Sequence, residues 1–206
     1  MYEPYCFLTL QNQYKKPMNH NFAIIMAGGL GSRFWPTSTS HKPKQFLDVL
    51  NTGETLLQQT FRRVSLTIPK KNILIVTKSD YLNFCLDQLP EINKENIICE
   101  PSRRNTAPCI ALAAFKLKKI DPLANFIVTP ADHLVTNESE FNRIIQLGLS
   151  VTAEKNILLT LGISPNKPET GYVETVSSTP AELQLQFRGE AKLVKLSLSQ
   201  DGTDIP

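Results

Sequence analysis

Short runs of apolar residues alternate along the chain with longer segments in which apolar residues recur every three or four positions. The short runs predict buried β-strands, and the longer segments predict helices that lay one apolar face on a sheet. This alternation is typical of parallel strands joined by crossover helices. The pattern therefore predicts an α/β fold in three layers, α/β/α, with a mostly parallel sheet flanked by helices.

Five strands and four helices can be placed on this pattern. The strands are predicted at residues 22–26, 73–76, 97–99, 126–129 and 157–161, the fifth added to the same sheet. The helices are predicted at residues 54–64, 81–89, 106–119 and 140–151. Asn105 is the candidate N-cap of the third helix, and Pro108 is tolerated in its first turn. Alternating apolar residues at 183–187, followed by 193–195, predict a hairpin that extends the sheet.

Composition narrows the class of protein. The chain has 206 residues, 41% of them hydrophobic, which is enough for one sizeable core. Its 22 basic and 19 acidic residues are interspersed, so no basic block favours binding to nucleic acid or to a membrane surface. The four cysteines form no CxxC pair and have no histidine at zinc-ligand spacing. Reduced thiols in a cytoplasmic protein are the favoured interpretation.

The ends of the chain do not follow the strand and helix pattern. Residues 1–19 lack the basic start and long apolar stretch of a secretory signal, and no segment approaches the ~20 apolar residues of a membrane span. We expect residues 1–19 to be a disordered N-terminal extension, residues 20–195 to form one domain and residues 196–206 to be a divergent tail.

Unusual residues follow four of the predicted strands. Ligands of such sheets bind outside the carboxyl ends of the strands, so these positions predict a site. The first loop holds three glycines in four residues, Gly28, Gly29 and Gly31, which lets main-chain N–H groups approach a polyphosphate. Arg33 and Lys44 bracket it with positive charge. It is neither a Walker loop nor a complete dinucleotide fingerprint, and the glycines alone leave a tight structural turn as an alternative.

Several motifs together resemble a known family. The sequences AGGLGSRFWP at 27–36 and KPKQFL at 42–47 resemble the signature of sugar nucleotidyltransferases, and their WP and KQF elements resemble the mannose-1-phosphate guanylyltransferase (GDP-mannose pyrophosphorylase) branch. EPSRRNTAP at 100–108, PADH at 130–133 and PETGY at 168–172 are similar to that family's next motifs, in the same order. The resemblance covers about residues 21–172 and implies a Rossmann-like, GT-A-like nucleotidyltransferase fold.

The resemblance also implies a reaction and a set of site residues. GMP would pass from GTP to α-D-mannose 1-phosphate, giving GDP-mannose and pyrophosphate with Mg²⁺, in an enzyme that can form a homodimer. The implied catalytic residues are Arg33, Lys44 and Asp132, and Asp132 is also the implied metal ligand. The implied nucleotide-binding residues are Ala27, Gly28, Gly29, Gly31, Ser32, Arg33, Lys44, Glu100, Asn105, Thr106, Pro130 and Ala131. The implied sugar-binding residues are Gly162, Glu169, Thr170, Gly171 and Tyr172.

Several of these positions have a plainer interpretation. Asp132 can be a turn aspartate, and Asn105 can serve as a helix cap alone. His133 is better explained as a loop histidine than as a base, since the reaction needs none, and Trp35 as a packing aromatic rather than a base-stacking platform.

The chain also departs from the family pattern. A second Gly-Tyr after Tyr172, a Glu-Lys-Pro motif after the next strand and a second metal carboxylate have no counterpart in it. We therefore expect a C-terminally truncated member. Two alternatives to the full reaction stay open at this point: a nucleotide-binding fragment without turnover, and a nucleotidyltransferase for another sugar 1-phosphate.

Overall fold

Four parallel strands form the central sheet, in the order β3-β2-β1-β4. The computed structural model describes residues 20–29, 35–39, 41–102, 104–163 and 192–198. The strands of this sheet are β1 (Asn21–Met26), β2 (Ile73–Lys78), β3 (Ile97–Glu100) and β4 (Asn125–Pro130). The helices are α1 (Leu56–Ser65), α2 (Leu82–Gln88), α3 (Thr106–Ile120) and α4 (Glu138–Glu154). The predicted α/β class with a parallel sheet is confirmed.

The sheet is covered on both faces. In β1, Ala23 and Ile25 point into a core shared with α1, α2 and α4, whereas Phe22 and Ile24 point into a second core against α3. Side chains alternate between the two faces of a strand, so a strand buried on both faces needs the continuous apolar run that β1 carries. The three predicted layers follow from this burial.

The fifth strand does not join this sheet, so that part of the prediction is wrong. β5 (Ile157–Ile163) pairs in parallel with β6 (Lys192–Leu198) in a separate two-stranded sheet. The side chain of Leu158 is 56% exposed, while Leu161 packs against the core beside α1 and α4. β5 thus buries one face, which does not suit the interior of a doubly covered parallel sheet. The predicted hairpin segment at 183–187 lies outside the described residues.

A capping box begins α1 and sets its direction toward the sheet. The N–H of Gln58 donates to Oγ1 of Thr55 at 3.3 Å, and the N–H of Thr55 donates to Oε1 of Gln58 at 2.8 Å. Thr55 Oγ1 also bonds Oε1 of Gln88 in α2 at 2.7 Å. These contacts satisfy N–H groups that a helix start leaves without intrahelical partners.

Thr55→Ala is expected to lower the free energy of unfolding by about 1 kcal/mol, because the helix loses its N-cap acceptor. Urea denaturation followed by circular dichroism measures the change. Thr136→Ala, at an exposed threonine outside any helix, is the control and should leave the midpoint unchanged. Equal midpoints for Thr55→Ala and the wild type would contradict the assigned cap.

No helix in the described part of the chain is both long and apolar enough to cross a membrane. Among the described residues, Cys85, Cys99 and Cys109 form no disulfide. Burial raises the pKa of the Cys85 thiol to about 12, so this cysteine acts as a core residue.

Candidate functional site

A cleft of about 210 Å³ opens at the carboxyl ends of β1, β3 and β4. The chain runs from β1 to β2 and β3 on one side, then crosses through α3 to β4 on the other side of β1. Such a reversal of strand order is where open α/β sheets bind ligands. The cleft is lined by Met26, Gly28, Gly29, Gln45, Glu100, Asn105, Thr106, Cys109, Pro130, Ala131 and Asp132.

Gly28 occupies a position with little room for a side chain. A Cβ atom built there would lie 3.2 Å from Oε2 of Glu100, which projects from the end of β3. At Gly29 the nearest atom to a built Cβ is Oε1 of Gln45, at an ordinary 4.0 Å. A methyl group at position 28 would therefore require the Glu100 carboxylate to shift by a few tenths of an ångström, whereas position 29 has space for a methyl group.

Lys44 lies in a short 3-10 turn, Lys44–Phe46, beside the lining residue Gln45. The turn is anchored by Phe46, which is 1% exposed and lies with its ring 5.1 Å from that of Phe84 and 5.6 Å from that of Tyr81. From this base Nζ of Lys44 donates a hydrogen bond to the main-chain oxygen of Asp132 at 3.3 Å. An ammonium group is thus held against the loop that follows β4.

Asn105 adopts a strained backbone conformation at the start of α3. Its φ of 66° and ψ of −165° lie in a region that non-glycine residues rarely adopt. It occupies the predicted N-cap position, but its side chain makes no capping hydrogen bond, so the capping interaction expected from the sequence is wrong. The first turn of a helix attracts anions through its N–H groups, and the first turn of α3 borders the cleft.

The loop after β4 is held by hydrogen bonds to β1 and α1. The N–H of Ala131 donates to the oxygen of Met26 at 2.9 Å, and the oxygen of Ala131 accepts from Oγ1 of Thr60 at 3.4 Å. Ala131 is 1% exposed, while the next residue, Asp132, is half-buried and lines the cleft. His133 is exposed and is not among the lining residues, which agrees with its interpretation as a loop histidine.

A buried arginine supports the same loop through Thr60. Nη2 of Arg63 donates to Oγ1 of Thr60 at 3.1 Å, and Nη1 lies 3.9 Å from Oε1 of Glu138. Burial lowers the pKa of the Arg63 guanidinium, and the Glu138 charge opposes that effect. Among the described residues its Nε finds no hydrogen-bond acceptor. Arg63 thus links α1 and α4 beneath the Ala131 main chain.

Two residues with carboxylate side chains, Glu100 and Asp132, line the cleft. Glu100 faces the loop after β1. Burial of the Cys109 thiol, and to a smaller extent the negative charge of Glu100, raise the pKa of that thiol to about 11. Asp132 lies just after β4, and its main-chain oxygen, not its carboxylate, accepts the hydrogen bond from Lys44. The described residues contain no group of three His, Cys, Asp or Glu side chains arranged to hold a metal ion. A cation here would have to complete its shell with ligand oxygens.

Most of the predicted nucleotide-binding residues that can be placed meet in this cleft. They are Gly28, Gly29, Glu100, Asn105, Thr106, Pro130 and Ala131, with Asp132 of the predicted catalytic set. Ala27 is buried behind them, and Lys44 joins through its bond to Asp132. Gly162 lies in β5 opposite Ser197 and does not line the cleft. Outside the described residues lie Gly31, Ser32, Arg33, Glu169, Thr170, Gly171 and Tyr172.

Three lining residues, Met26, Gln45 and Cys109, were not predicted from the sequence. Gln45 belongs to the KQF motif, which supports the family resemblance but predicts no role for this residue. Cys109 falls one turn into α3, where its alignment with the cleft depends on how the helix packs. The side chain of Trp35 is 78% exposed, and the residues that precede it in the loop, 30–34, lie outside the described ones, so its interpretation as a packing aromatic stays a prediction.

Comparison with known proteins decides the family. The family model described as Nucleotidyl transferase matches residues 22–181, which include the cleft and all four strands of the sheet. The chain belongs to the nucleotidyl transferase family. The match begins at the second residue of β1 and continues past β5.

Relatives of this nucleotidyl transferase chain carry more specific names. Mannose-1-phosphate guanylyltransferase 2 of Escherichia coli O157:H7 is 43% identical over 154 residues, which are 73% of this chain and 31% of the relative. Alginate biosynthesis protein AlgA of Pseudomonas syringae pv. tomato is 40% identical over 163 residues, 78% of this chain and 33% of the relative. The chain spans about a third of the length of the curated relatives it matches.

Solved structures agree with the fold. A crystal structure named mannose-1-phosphate geranyltransferase, from Thermus thermophilus, superposes with a TM-score of 0.66 at 30% identity, over 75% of this chain and 44% of that one. A structure named mannose-6-phosphate isomerase, from Helicobacter pylori, gives a TM-score of 0.58 at 27% identity, over 73% of this chain and 53% of that one. Both support the Rossmann-like architecture.

Proposed function

We propose that this nucleotidyl transferase chain binds GTP in the cleft and transfers its GMP part to α-D-mannose 1-phosphate, giving GDP-mannose and pyrophosphate. The observation that carries the proposal is the convergence of Lys44, Gly28 and Asp132 at the strand-order reversal of the sheet. The names of the relatives support a guanine nucleotide and mannose 1-phosphate as the substrate pair.

In the proposed reaction, a phosphate oxygen of mannose 1-phosphate attacks the α-phosphorus of GTP. The bond from that phosphorus to the β-phosphate oxygen breaks, and pyrophosphate leaves with the electron pair. The attacking phosphate is already anionic, so no base is required. The protein has to align the reactants and stabilise the charge that grows on the leaving group.

The residues of the cleft suit these tasks. Lys44 supplies a positive charge for the triphosphate and the departing pyrophosphate, and the predicted role of Arg33 is the same. The main chain at Gly28 and Gly29 can approach phosphates closely, since Gly28 offers no side chain. We assign Glu100, Asn105 and Thr106 to the nucleotide because they line the same cleft.

Magnesium fits this arrangement through Asp132. Mg²⁺ is commonly held in proteins by one or two carboxylates together with substrate phosphates, and Asp132 is a half-buried residue that lines the cleft. When bound, the ion would neutralise phosphate charge. The second carboxylate of the family has no counterpart identified in this sequence, so we assign Asp132 alone.

The remaining assignments stay predictions. Glu169, Thr170, Gly171 and Tyr172 are proposed for the sugar on their motif, and Gly162 on the family resemblance alone, since it lies within β5 and does not line the cleft. A cytoplasmic location and a homodimer belong to the same proposal.

Incubation of the purified chain with GTP, mannose 1-phosphate and MgCl₂ is expected to release pyrophosphate, measured by a coupled phosphate assay. Reactions without the sugar phosphate, and with UTP or dTTP in place of GTP, are the controls. GTP binding without release would identify a nucleotide-binding chain without turnover. Release with another sugar 1-phosphate in preference to mannose 1-phosphate would correct the substrate, and absence of both binding and release would refute the proposal.

A further inference from the structure

The side-chain amide of Gln45 is buried against the loop that follows β1. Its Nε2 donates to the main-chain oxygen of Ala27 at 2.8 Å and to that of Gly29 at 2.9 Å. Gln45 is 2% exposed. A carbonyl oxygen can only accept, so the amide must present its NH₂ group to this pair, because the reverse orientation would set three oxygens against one another.

The Ala27 peptide is held from further directions as well. Its oxygen accepts a second hydrogen bond, from Oγ1 of Thr77 at 3.0 Å, and in the preceding peptide plane the N–H of Ala27 donates to the oxygen of Val76 at 2.7 Å. Both lone pairs of the Ala27 oxygen are thereby used. The orientation of this peptide plane is fixed by side chains from two separate segments.

This fixed orientation determines where the next N–H points. In a trans peptide the C=O and N–H bonds point in opposite directions, so the N–H of Gly28 is directed away from Gln45 and Thr77. Phosphate oxygens are attracted by N–H groups and repelled by carbonyl oxygens. The loop can bind a polyphosphate only if its N–H groups, and not its carbonyl oxygens, point into the cleft.

We propose that Gln45 is a positioning residue for the phosphate-binding loop, and this inference rests on the proposed function. Its amide holds the oxygens of Ala27 and Gly29 so that N–H groups, not carbonyl oxygens, face the phosphates. The neighbouring Lys44 shares the same turn, which is also held by a hydrogen bond from Nε2 of Gln88 to the oxygen of Phe46 at 3.1 Å. One turn therefore sets the lysine and the loop relative to each other.

Gln45→Met tests this role, because methionine keeps the volume and removes both donors. The chain offers a matched control in Gln59, which is 8% exposed and whose Nε2 donates to Oγ1 of Thr52 and to the oxygen of Glu54, each at 3.0 Å. Gln59→Met also removes two donated hydrogen bonds from a buried amide, but outside the residues that line the cleft.

Two probes separate positioning from general damage. Inorganic pyrophosphate reports on the phosphate site, and GMP lacks the two terminal phosphates. By calorimetry with Mg²⁺, Gln45→Met is expected to weaken pyrophosphate and GTP binding by about tenfold or more and GMP binding by less than about threefold. Gln59→Met is expected to leave all three dissociation constants unchanged, although both variants lower the melting temperature.

Other results would overturn the inference. Equal losses for pyrophosphate and GMP would mean that Gln45 is merely structural, and unchanged pyrophosphate binding would remove its role. If Gln45→Met does not fold, Thr77→Val removes the other donor to Ala27, and it must weaken pyrophosphate binding more than GMP binding. A wild-type chain that binds neither GTP nor pyrophosphate would instead refute the proposed function itself.

Discussion

Lys44→Met is expected to lower the rate of pyrophosphate release by about 10²–10³-fold, the loss typical of removing one pre-positioned group that stabilises transition-state charge. In the proposed reaction, negative charge grows on the leaving pyrophosphate as the bond to the α-phosphorus breaks. The Lys44 ammonium is already held in place, by its bond to the oxygen of Asp132 and by the buried Phe46. Methionine keeps most of the stem volume and removes the charge, and steady-state kinetics measure the effect.

The rate should suffer more than GTP affinity, since an interaction that strengthens in the transition state contributes mainly to turnover. Lys42→Met is the control, because Lys42 is exposed and lies two residues earlier in the same segment. If the wild-type chain binds GTP but does not turn over, Lys44→Met should instead weaken the binding of pyrophosphate. Similar losses for both lysine variants would point to general electrostatics instead of a role for Lys44.

Asp132→Asn is expected to reduce turnover by about 10²-fold and to remove most of the magnesium dependence of GTP binding. A metal ion contributes several kcal/mol of charge stabilisation in such reactions, which corresponds to two or more powers of ten in rate. Asparagine has the size of aspartate but lacks the charge that Mg²⁺ prefers. The measurement is the ratio of GTP dissociation constants in EDTA and in Mg²⁺, for the wild type and the variant.

Asp87→Asn, at an exposed position of α2, removes the same charge from a site away from the cleft. It should leave both the ratio and the rate unchanged. An Asp132→Asn protein with the wild-type magnesium dependence would show that the ion binds elsewhere, and the assignment of Asp132 would then fail.

The strands and helices could be predicted from periodicity because their burial is regular. β1 was predicted at 22–26 and spans Asn21–Met26, and α3 was predicted at 106–119 and spans Thr106–Ile120. Four short 3-10 turns in the described part of the chain were not predicted, among them Lys44–Phe46, since three residues are too few to show a period. The pairing of β5 could not be predicted either, because an apolar run in the sequence does not indicate which strand will be its neighbour.

The site could be predicted only in part, because some of its contacts join residues that are distant in the sequence. Gly28, Glu100 and Asp132 could be placed at the sheet edge because each follows a strand. The part played by Gln45 depends on a side chain that folds back 16 and 18 residues along the chain to two carbonyl groups. Nothing local in the sequence encodes that contact, and the lack of a side-chain cap at Asn105 is equally invisible before the backbone angles are known.

The pairing of β1 with β4 joins Asn21 to Asn125 across more than half the chain. The loop after β1 is formed by the first strand, yet its opposite wall, Pro130–Asp132, exists only once β4 has docked beside it. Such a long-range contact closes late relative to local helices, because a large loop must be ordered before the contact is made. No partly folded chain that lacks β4 can offer the complete cleft, so the proposed nucleotide binding would require the whole sheet and not the glycine loop alone.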